Sequence, residues 1–189
     1  RGASCVWCGD SNMFMYNRTA NVKYMLDKGV NVCIGTDSPM SGGLNLLFEM
    51  KFDKSYYKRT YKTELPDEQI VRMVTSNPAK ALRMHRQGRI KQGFIADFTV
   101  FNSKSANPYS SVVNAELADV KLVVIGGMPM YGDTEFEELF VAQKSKYQKI
   151  RMDGVDKLVT GDLIGLLKRI SRAVGFKKEF PFMPVDFQV

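Results

Sequence analysis

The sequence predicts an α/β fold followed by a β-rich segment and a helical extension. Apolar strands alternate with helical stretches over residues 1–87, a pattern typical of parallel βα units. Short apolar runs separated by glycine turns follow over residues 88–133. Residues 134–189 return to a helical spacing of their leucines, so we expect three successive parts.

The first part should contain two short strands, each leading into a polar loop. One strand over residues 3–8 ends at the turn Gly9-Asp10-Ser11-Asn12, and a second over Val30 to Ile34 runs into Gly35 and the residues after it. The helices predicted in this part are one from Thr19 to Lys28, one from Leu44 to Phe52, one opening at Pro66, and one opening with Asn77 as cap and Pro78 in its first turn.

The second and third parts have their own signals. Val120 to Ile125 and Met128 to Tyr131 predict a hairpin around Gly126-Gly127. Residues 89–93 predict a turn-rich hairpin, and residues 97–101 predict a further strand. Residues 160–174 place leucine and isoleucine on one helical stripe, which predicts an amphipathic helix.

Composition and charge exclude several classes of protein. A hydrophobic content of 44% with 25% charged residues indicates a globular protein and not a disordered one. The net charge of +7 is spread along the chain without an aromatic stacking platform, so no nucleic-acid partner is expected. No apolar run approaches roughly 18 residues, so no membrane association is expected. Three cysteines do not make a secreted disulfide framework, which favours a cytoplasmic protein.

Asp37 is the strongest candidate for chemistry because it closely follows a predicted buried strand. In parallel α/β folds, the active site lies at the carboxyl ends of the strands. A carboxylate there can bind a metal ion or move a proton. An Asp in this position is equally suited to cap a helix or to form an Asx turn with Ser38, so the local sequence leaves both interpretations open.

Histidine and cysteine offer little else for a metal site. The only histidine, His85, lies in an arginine-containing stretch and is expected at the surface. Cys5 and Cys8 are three residues apart on a predicted strand, so they should point to opposite faces and not share a metal ion. Together with Cys33, they are expected to be buried thiols.

Four segments carry recognisable motifs in a fixed order. They are Ser11-Asn12, the loop Gly35-Thr36-Asp37-Ser38-Pro39 with Ser41-Gly42-Gly43, the stretch around Asn77-Pro78, and the stretch from Gly88 to Val100. Together they resemble the C-terminal portion of the metal-dependent amidohydrolase superfamily, in its cytosine-deaminase-like and chlorohydrolase-like branch. The sequence departs from the family pattern at Gly9, where a proline often follows the cysteine, and at Arg83, where a glycine often follows the leucine.

The resemblance implies the last βα units of a distorted TIM barrel over residues 1–87. It also implies the returning segment of a small β-sandwich over residues 88–133. Residues 134–189 match no motif of the family, and the helical C-terminal extension there is predicted from the residue pattern alone. The implied parent enzyme hydrolyses carbon–nitrogen bonds of a small-molecule substrate, as a deaminase or cyclic amide hydrolase does. Its cofactor would be a divalent metal such as zinc, iron or manganese.

Particular residues acquire roles from this resemblance. Asp37 is implied as metal ligand and as the catalytic carboxylate that takes a proton from water and passes it to the leaving nitrogen. Ser11, Asn12, Ser38 and Ser41 lie where substrate contacts are expected, although turn and capping roles explain them equally well.

The family's histidine ligands are missing from this sequence. We therefore expect a fragment of a longer protein, starting at Arg1 instead of Met, that is inactive alone and binds essentially no metal. The alternative is a non-catalytic structural or partner-binding module. Strands without neighbours expose their edges, so a homo-oligomer is favoured over shielding of those edges by residues 134–189.

Overall fold

The computed structural model describes residues 2–180 and 183–186, which divide into two compact units. The first unit contains the residues up to Phe94 together with Ser103–Glu116, and the second contains Ile95–Asn102 together with the residues from Leu117 onward. Helices and strands are mixed, which confirms the predicted α/β class. Within the described ranges, no helix is both long and apolar enough to cross a membrane.

The first unit is a two-stranded parallel sheet packed against helices. Its elements are β1 (Ser4–Trp7), α1 (Gly9–Tyr16), α2 (Val22–Asp27), β2 (Asn31–Ile34), α3 (Leu46–Tyr61), α4 (Asp67–Val74), α5 (Ser76–Ala81) and α6 (Pro108–Val113). Both strands are predicted by the sequence. Because Trp7 lies opposite Ile34 in a parallel register, the two strands end side by side.

An apolar core holds the first unit together. Trp7 on β1 and Val32 on β2 are almost completely buried, and α3 and α4 add Met50, Ile70 and Met73. Ile70 and Met73 are three residues apart and therefore lie on one face of α4. This buried face of α4 packs against β2.

Two predictions at helix starts are wrong, and tertiary contacts explain both. Residues 9–12 form the first turn of α1 instead of a polar turn, because the Glu49 carboxylate accepts a hydrogen bond from the Asp10 N–H and satisfies that helix start. Asn77 lies inside α5 and does not cap it. Its Nδ2 donates instead to the backbone oxygen of Val32, at 2.8 Å.

The turn-rich hairpin predicted over residues 89–93 is also wrong. This segment forms turns without strands. Ile90, its central apolar residue, is 91% exposed, so the segment has no buried face that would stabilise strand pairing.

The second unit is an antiparallel sheet with strand order β3-β4-β5-β7-β6-β8 over its described residues. Its elements are β3 (Phe98–Phe101), β4 (Val120–Ile125), β5 (Met128–Asp133), α7 (Glu137–Ala142), β6 (Tyr147–Met152), β7 (Val155–Thr160), α8 (Leu163–Val174) and β8 (Val185–Asp186). The hairpin of β4 and β5 around Gly126-Gly127 is predicted by the sequence, and so is β3.

The prediction that residues 134–189 form a helical extension is wrong for its central part. Strands β6 and β7 pair there as a hairpin and extend the sheet. Asp153 and Gly154 form its two-residue turn, and both have the positive φ that matches the twist of the flanking strands. The helix predicted over residues 160–174 is confirmed as α8. Residues 181–182 and 187–189 lie outside the described residues.

Lys157 on β7 is a fully buried charged side chain in the second unit. Its ammonium donates to the backbone oxygen of Val120 at 2.8 Å and forms an ion pair with Asp133, which lies opposite Lys157 on β5. The ring centroid of Tyr131 lies 5.5 Å from the ammonium. These partners compensate for the hydration that the ammonium loses on burial.

We expect Lys157→Met to destabilise the second unit by roughly 3–5 kcal/mol, because it leaves the Asp133 carboxylate without its buried counter-ion. Chemical denaturation followed by circular dichroism measures the free energy of unfolding. Lys121→Met is the matched control, since Lys121 pairs with Glu135 in a more exposed position and its loss should cost little. Equal stability of the two variants would contradict this account.

Candidate functional site

The candidate site lies where β1 and β2 end. β1 leads through Cys8 into α1, and β2 leads into a loop over residues 35–45 that precedes α3. The Gly35 N–H donates to the backbone oxygen of Trp7 at 2.9 Å, so the strands stay paired up to the start of both loops. The first turn of α1 and the 35–45 loop therefore begin next to each other.

Asp37 presents an exposed carboxylate at this edge of the sheet. Its φ of 56° lies in the left-handed region, which aspartate tolerates better than most residues. Its Oδ2 accepts a 2.7 Å hydrogen bond from the Oγ of Ser11, which is completely buried. The cap of α3 is Asn45, which accepts from the Phe48 N–H. Asp37 is thus held by a side chain of α1 and does not cap a helix.

Ser41 belongs to the same cluster of polar side chains. Its Oγ lies 3.1 Å from the Oγ of Ser11. The structure therefore brings together two of the predicted site residues, Asp37 and Ser41, through the buried hydroxyl of a third residue. Sequence reasoning places Ser11 in a motif and among the possible substrate contacts, and it does not reveal this shared role.

Ser38 makes local bonds within its turn. Its Oγ accepts from the Met40 N–H at 3.2 Å, and its backbone oxygen accepts from the N–H groups of Ser41 and Gly42. These bonds are the turn role that the sequence leaves open for Ser38. A substrate contact of Ser38 stays a prediction.

Asn12 is tied to β1 through a chain of hydrogen bonds. Its Oδ1 accepts from the Oγ1 of Thr19 at 2.9 Å, and that hydroxyl oxygen accepts from the Nε1 of Trp7, also at 2.9 Å. The chain fixes α1 relative to the strand before it. A substrate contact of Asn12 likewise stays a prediction.

Gly42 allows the loop after Asp37 to fold back onto α1. A Cβ at this position would lie 2.1 Å from the backbone oxygen of Thr36 and 3.1 Å from the Cβ of Ser11. The first distance is far inside van der Waals contact, and a backbone oxygen cannot move aside as a flexible side chain does. The approach of Ser41 to Ser11 therefore requires glycine at position 42.

Glu49 on α3 connects the two loops and is completely buried. Its Oε1 accepts from the Asp10 N–H at 3.0 Å, and its Oε2 accepts from the Gly43 N–H at 3.3 Å. Burial raises the pKa of Glu49, although these backbone hydrogen bonds oppose that rise. One carboxyl group thus fixes both the helix start that carries Ser11 and the loop that carries Ser41.

Sequence reasoning misses Glu49, and the sequence contains no clear signal for it. A glutamate near the start of an amphipathic helix is ordinarily a solvent-exposed residue, because acidic side chains are rarely buried. Only the positions of the two loops reveal that this one points inward.

The described residues do not by themselves form a metal site. They contain no group of three or more His, Cys, Asp or Glu side chains placed to hold an ion. His85 is exposed, as predicted, and the three cysteines are free thiols. Cys8 lies near Asp37, but burial and then the charges of Glu49 and Asp37 raise the pKa of its thiol, which makes it a poor ligand and nucleophile. The role of Asp37 as a metal ligand stays a prediction.

Comparison with known proteins identifies the family. The sequence profile of the amidohydrolase family matches residues 1–130, which is more than half of the chain. The chain therefore belongs to the amidohydrolase family, as its motifs predict.

Two relatives are named as deaminases. The chain is 33% identical over 155 residues to a 5-methylthioadenosine/S-adenosylhomocysteine deaminase of Halalkalibacterium halodurans, a match that covers 74% of this chain and 35% of that protein. It is 31% identical over 186 residues to a 5'-deoxyadenosine deaminase of Methanosarcina barkeri, covering 84% of this chain and 42% of that protein. The chain thus spans less than half the length of these relatives.

The fold is similar to part of a solved enzyme structure. An adenosine deaminase from Xanthomonas campestris, crystallised with bound zinc, matches with a TM-score of 0.64 and 26% identity. The match covers 68% of this chain and 32% of that one.

We expect Glu49→Ala to destabilise the first unit, because it leaves the Asp10 and Gly43 N–H groups without acceptors at a cost of roughly 1–3 kcal/mol each. Denaturation followed by the fluorescence of Trp7, which lies in the core of this unit, measures the loss. Glu64→Ala is the control, since Glu64 is exposed and pairs with Lys58. A loss no larger than that of the control would show that Glu49 does not hold the loops.

Proposed function

We propose that this chain is the C-terminal part of a hydrolase that releases ammonia from an amino-substituted purine nucleoside or a related small molecule. The observation that carries the proposal is Asp37, an exposed carboxylate held by Ser11 beside the end of β2 in a member of the amidohydrolase family. The names of the two deaminase relatives support hydrolysis of a carbon–nitrogen bond.

In this proposal β1 and β2 are the last two strands of a barrel whose other strands belong to a longer protein. The parallel register of β1 and β2, with helices following each strand, supports this assignment. The sheet of the second unit would then include the returning segment of the small β-sandwich. Residues 103–116 pack with the first unit, so the proposed barrel part extends beyond the predicted boundary at residue 87.

The proposed role of Asp37 is proton transfer. The carboxylate takes a proton from the attacking water and gives it to the leaving nitrogen, so that ammonia departs as a neutral molecule. The hydrogen bond from Ser11 to Oδ2 restricts the rotation of the carboxylate and so orients its other oxygen. Of Asn12, Ser38 and Ser41, the last is the best placed for a substrate contact, because its hydroxyl adjoins Ser11.

A divalent metal is implied by the family, and zinc is named in the related adenosine deaminase structure. A single ligand, Asp37, is not enough for tight binding of such an ion. We infer that histidine ligands in the rest of the parent protein complete the site. The 189-residue chain by itself is therefore expected to be inactive and essentially metal-free.

In the longer protein, Asp37→Asn should slow ammonia release by on the order of 10²- to 10⁴-fold, because an amide fills the same space and does not accept the proton. The assay measures ammonia released from 5'-deoxyadenosine and 5-methylthioadenosine. Asp27→Asn makes the same chemical change at an exposed residue paired with Lys23 and should leave the rate unaltered. The 189-residue chain, assayed in parallel, should show no turnover.

Two results would contradict this proposal in different ways. Near-normal turnover by Asp37→Asn would leave Asp37 with a role in the turn alone. Turnover by the 189-residue chain, with stoichiometric zinc found by elemental analysis, would show that it is a complete enzyme and not a fragment.

We further propose that the 189-residue chain forms a homo-oligomer. Among the described residues, β1 and β2 pair only with each other, so each strand keeps one unpaired edge. Val6 on β1 is 62% exposed and Phe14 on α1 is 74% exposed, which adds apolar surface. Light scattering coupled to size exclusion should give a mass at least twice that of one chain. A monomer at every concentration tested would contradict the proposal.

A further inference from the structure

The Asp53 carboxyl occupies the space that a side chain at position 9 would take. A Cβ built on Gly9 would lie 1.9 Å from the Oδ1 of Asp53 and 3.1 Å from its Cγ. Gly9 is the first residue of α1, and Asp53 lies on α3. This close approach, called the Gly9–Asp53 contact below, joins α3 to the helix that carries Ser11.

Asp53 is buried without a polar partner. Its side chain is 0% exposed, and neither carboxyl oxygen has a hydrogen-bond partner within the described part of the chain. The titratable groups that face it are Glu49 on α3, Asp10 on α1 and the thiol of Cys8 at the start of α1. Burial, reinforced by the charges of Glu49 and Asp10, raises the pKa of Asp53 to about 9.

We propose that Asp53 is a positioning residue that acts as an uncharged acid. Its neutral carboxyl packs against Gly9 and keeps the first turn of α1 where Ser11 reaches Asp37, and its ionisation releases that turn. The consequence for Asp37 rests on the proposed function, whereas the behaviour of Asp53 and α1 does not.

Ionisation has to loosen the Gly9–Asp53 contact, because no hydrogen-bond partner among the described residues compensates a charge on Asp53. A Cβ on Gly9 would also lie 3.3 Å from the Nε1 of Trp7, so the indole borders the space at position 9 that the Asp53 carboxyl fills. A second carboxyl group, that of Glu49, sits one helical turn away and holds the same start of α1. Two like charges at this spacing repel, and a carboxylate gains hydration only by moving toward solvent.

The same contact accounts for the glycine at position 9. Any residue with a Cβ would collide with the Asp53 carboxyl. Gly9 and Asp53 are therefore mutually dependent, and the acid fills the volume that the glycine leaves open.

The stability of the first unit should fall with rising pH as a result. Folded Asp53 keeps its proton up to about pH 9, whereas an unfolded chain loses it near the ordinary aspartate pKa of about 4. The folded state binds one more proton across this interval. The contribution of Asp53 to stability is therefore complete below about pH 4, declines as the pH rises, and is lost at about pH 9.

Trp7, the only tryptophan in the sequence, reports on this process directly. We expect its fluorescence in the 189-residue chain to change with a midpoint near pH 9. The Asn12 amide, which donates to the backbone oxygen of Cys8 at 2.9 Å in the first turn of α1, should lose protection from hydrogen exchange over the same range. Asp53→Asn should abolish both changes, because an amide does not ionise.

The neighbouring thiol provides the matched control. Cys8→Ser removes the thiol that interacts electrostatically with Asp53 and should keep both changes. A midpoint that persists in Asp53→Asn, a midpoint that disappears in Cys8→Ser, or an unaltered chain without a midpoint between about pH 7 and 10 would overturn the proposal.

A second measurement applies if Asp53→Asn does not fold. The melting temperature of the unaltered chain should then fall steadily between about pH 5 and 9, and a flat profile would overturn the proposal. None of these measurements needs enzymatic turnover. The proposal about Asp53 can therefore fail while the proposed hydrolase function stands, and the reverse also holds.

Discussion

The geometry of the candidate site depends on the buried carboxyl group of Glu49. One side chain of α3 accepts hydrogen bonds from Asp10, at the start of the helix after β1, and from Gly43, in the loop after β2. Both backbone donors compensate part of the cost of burying the acid. Ser11 follows Asp10 along the chain, and Ser41 lies two residues before Gly43. The spacing of their hydroxyls, and of Asp37 against them, is thus set by a residue inside the core.

Glu49 and Asp53 lie one turn apart on α3 in contrasting environments. Glu49 has two backbone donors, whereas neither oxygen of Asp53 has a partner among the described residues. Natural cores rarely keep an acid without a partner, because its desolvation is uncompensated. Such departures from good packing chemistry are concentrated at functional sites. The position of Asp53, directly behind the start of the helix that holds Asp37 through Ser11, is consistent with that rule.

The sequence predicts those parts of the site that have a local pattern. Asp37 is predictable because a short apolar strand followed by a polar, glycine-containing loop marks the edge of a parallel sheet. The role of Ser11 and the burial of Glu49 and Asp53 are not predictable, because acids on an amphipathic helix normally face solvent and only packing turns these two inward.

In the fold as well, elements with a local sequence signal are predicted and elements that depend on distant contacts are missed, with one exception. The first turn of α1 escapes prediction because its stabilising acceptor, Glu49, comes from another helix. The hairpin of β6 and β7 is different, since Asp153-Gly154 between two segments of mixed apolar and polar residues is a local hairpin signal. The amphipathic pattern of residues 160–174 favours a helical prediction for the whole of residues 134–189, and the turn signal at Asp153-Gly154 is overlooked as a result.

The chain passes between its two units three times, after Phe94, after Asn102 and after Glu116. Strand β3 joins the sheet of the second unit before the chain returns to supply α6 to the first. On α6, Val113 is completely buried in the core of the first unit. A polypeptide ending at Phe94 would therefore lack a piece of its own core. No single proteolytic cut releases either unit intact, and expressing one alone would require two separated stretches of coding sequence to be joined.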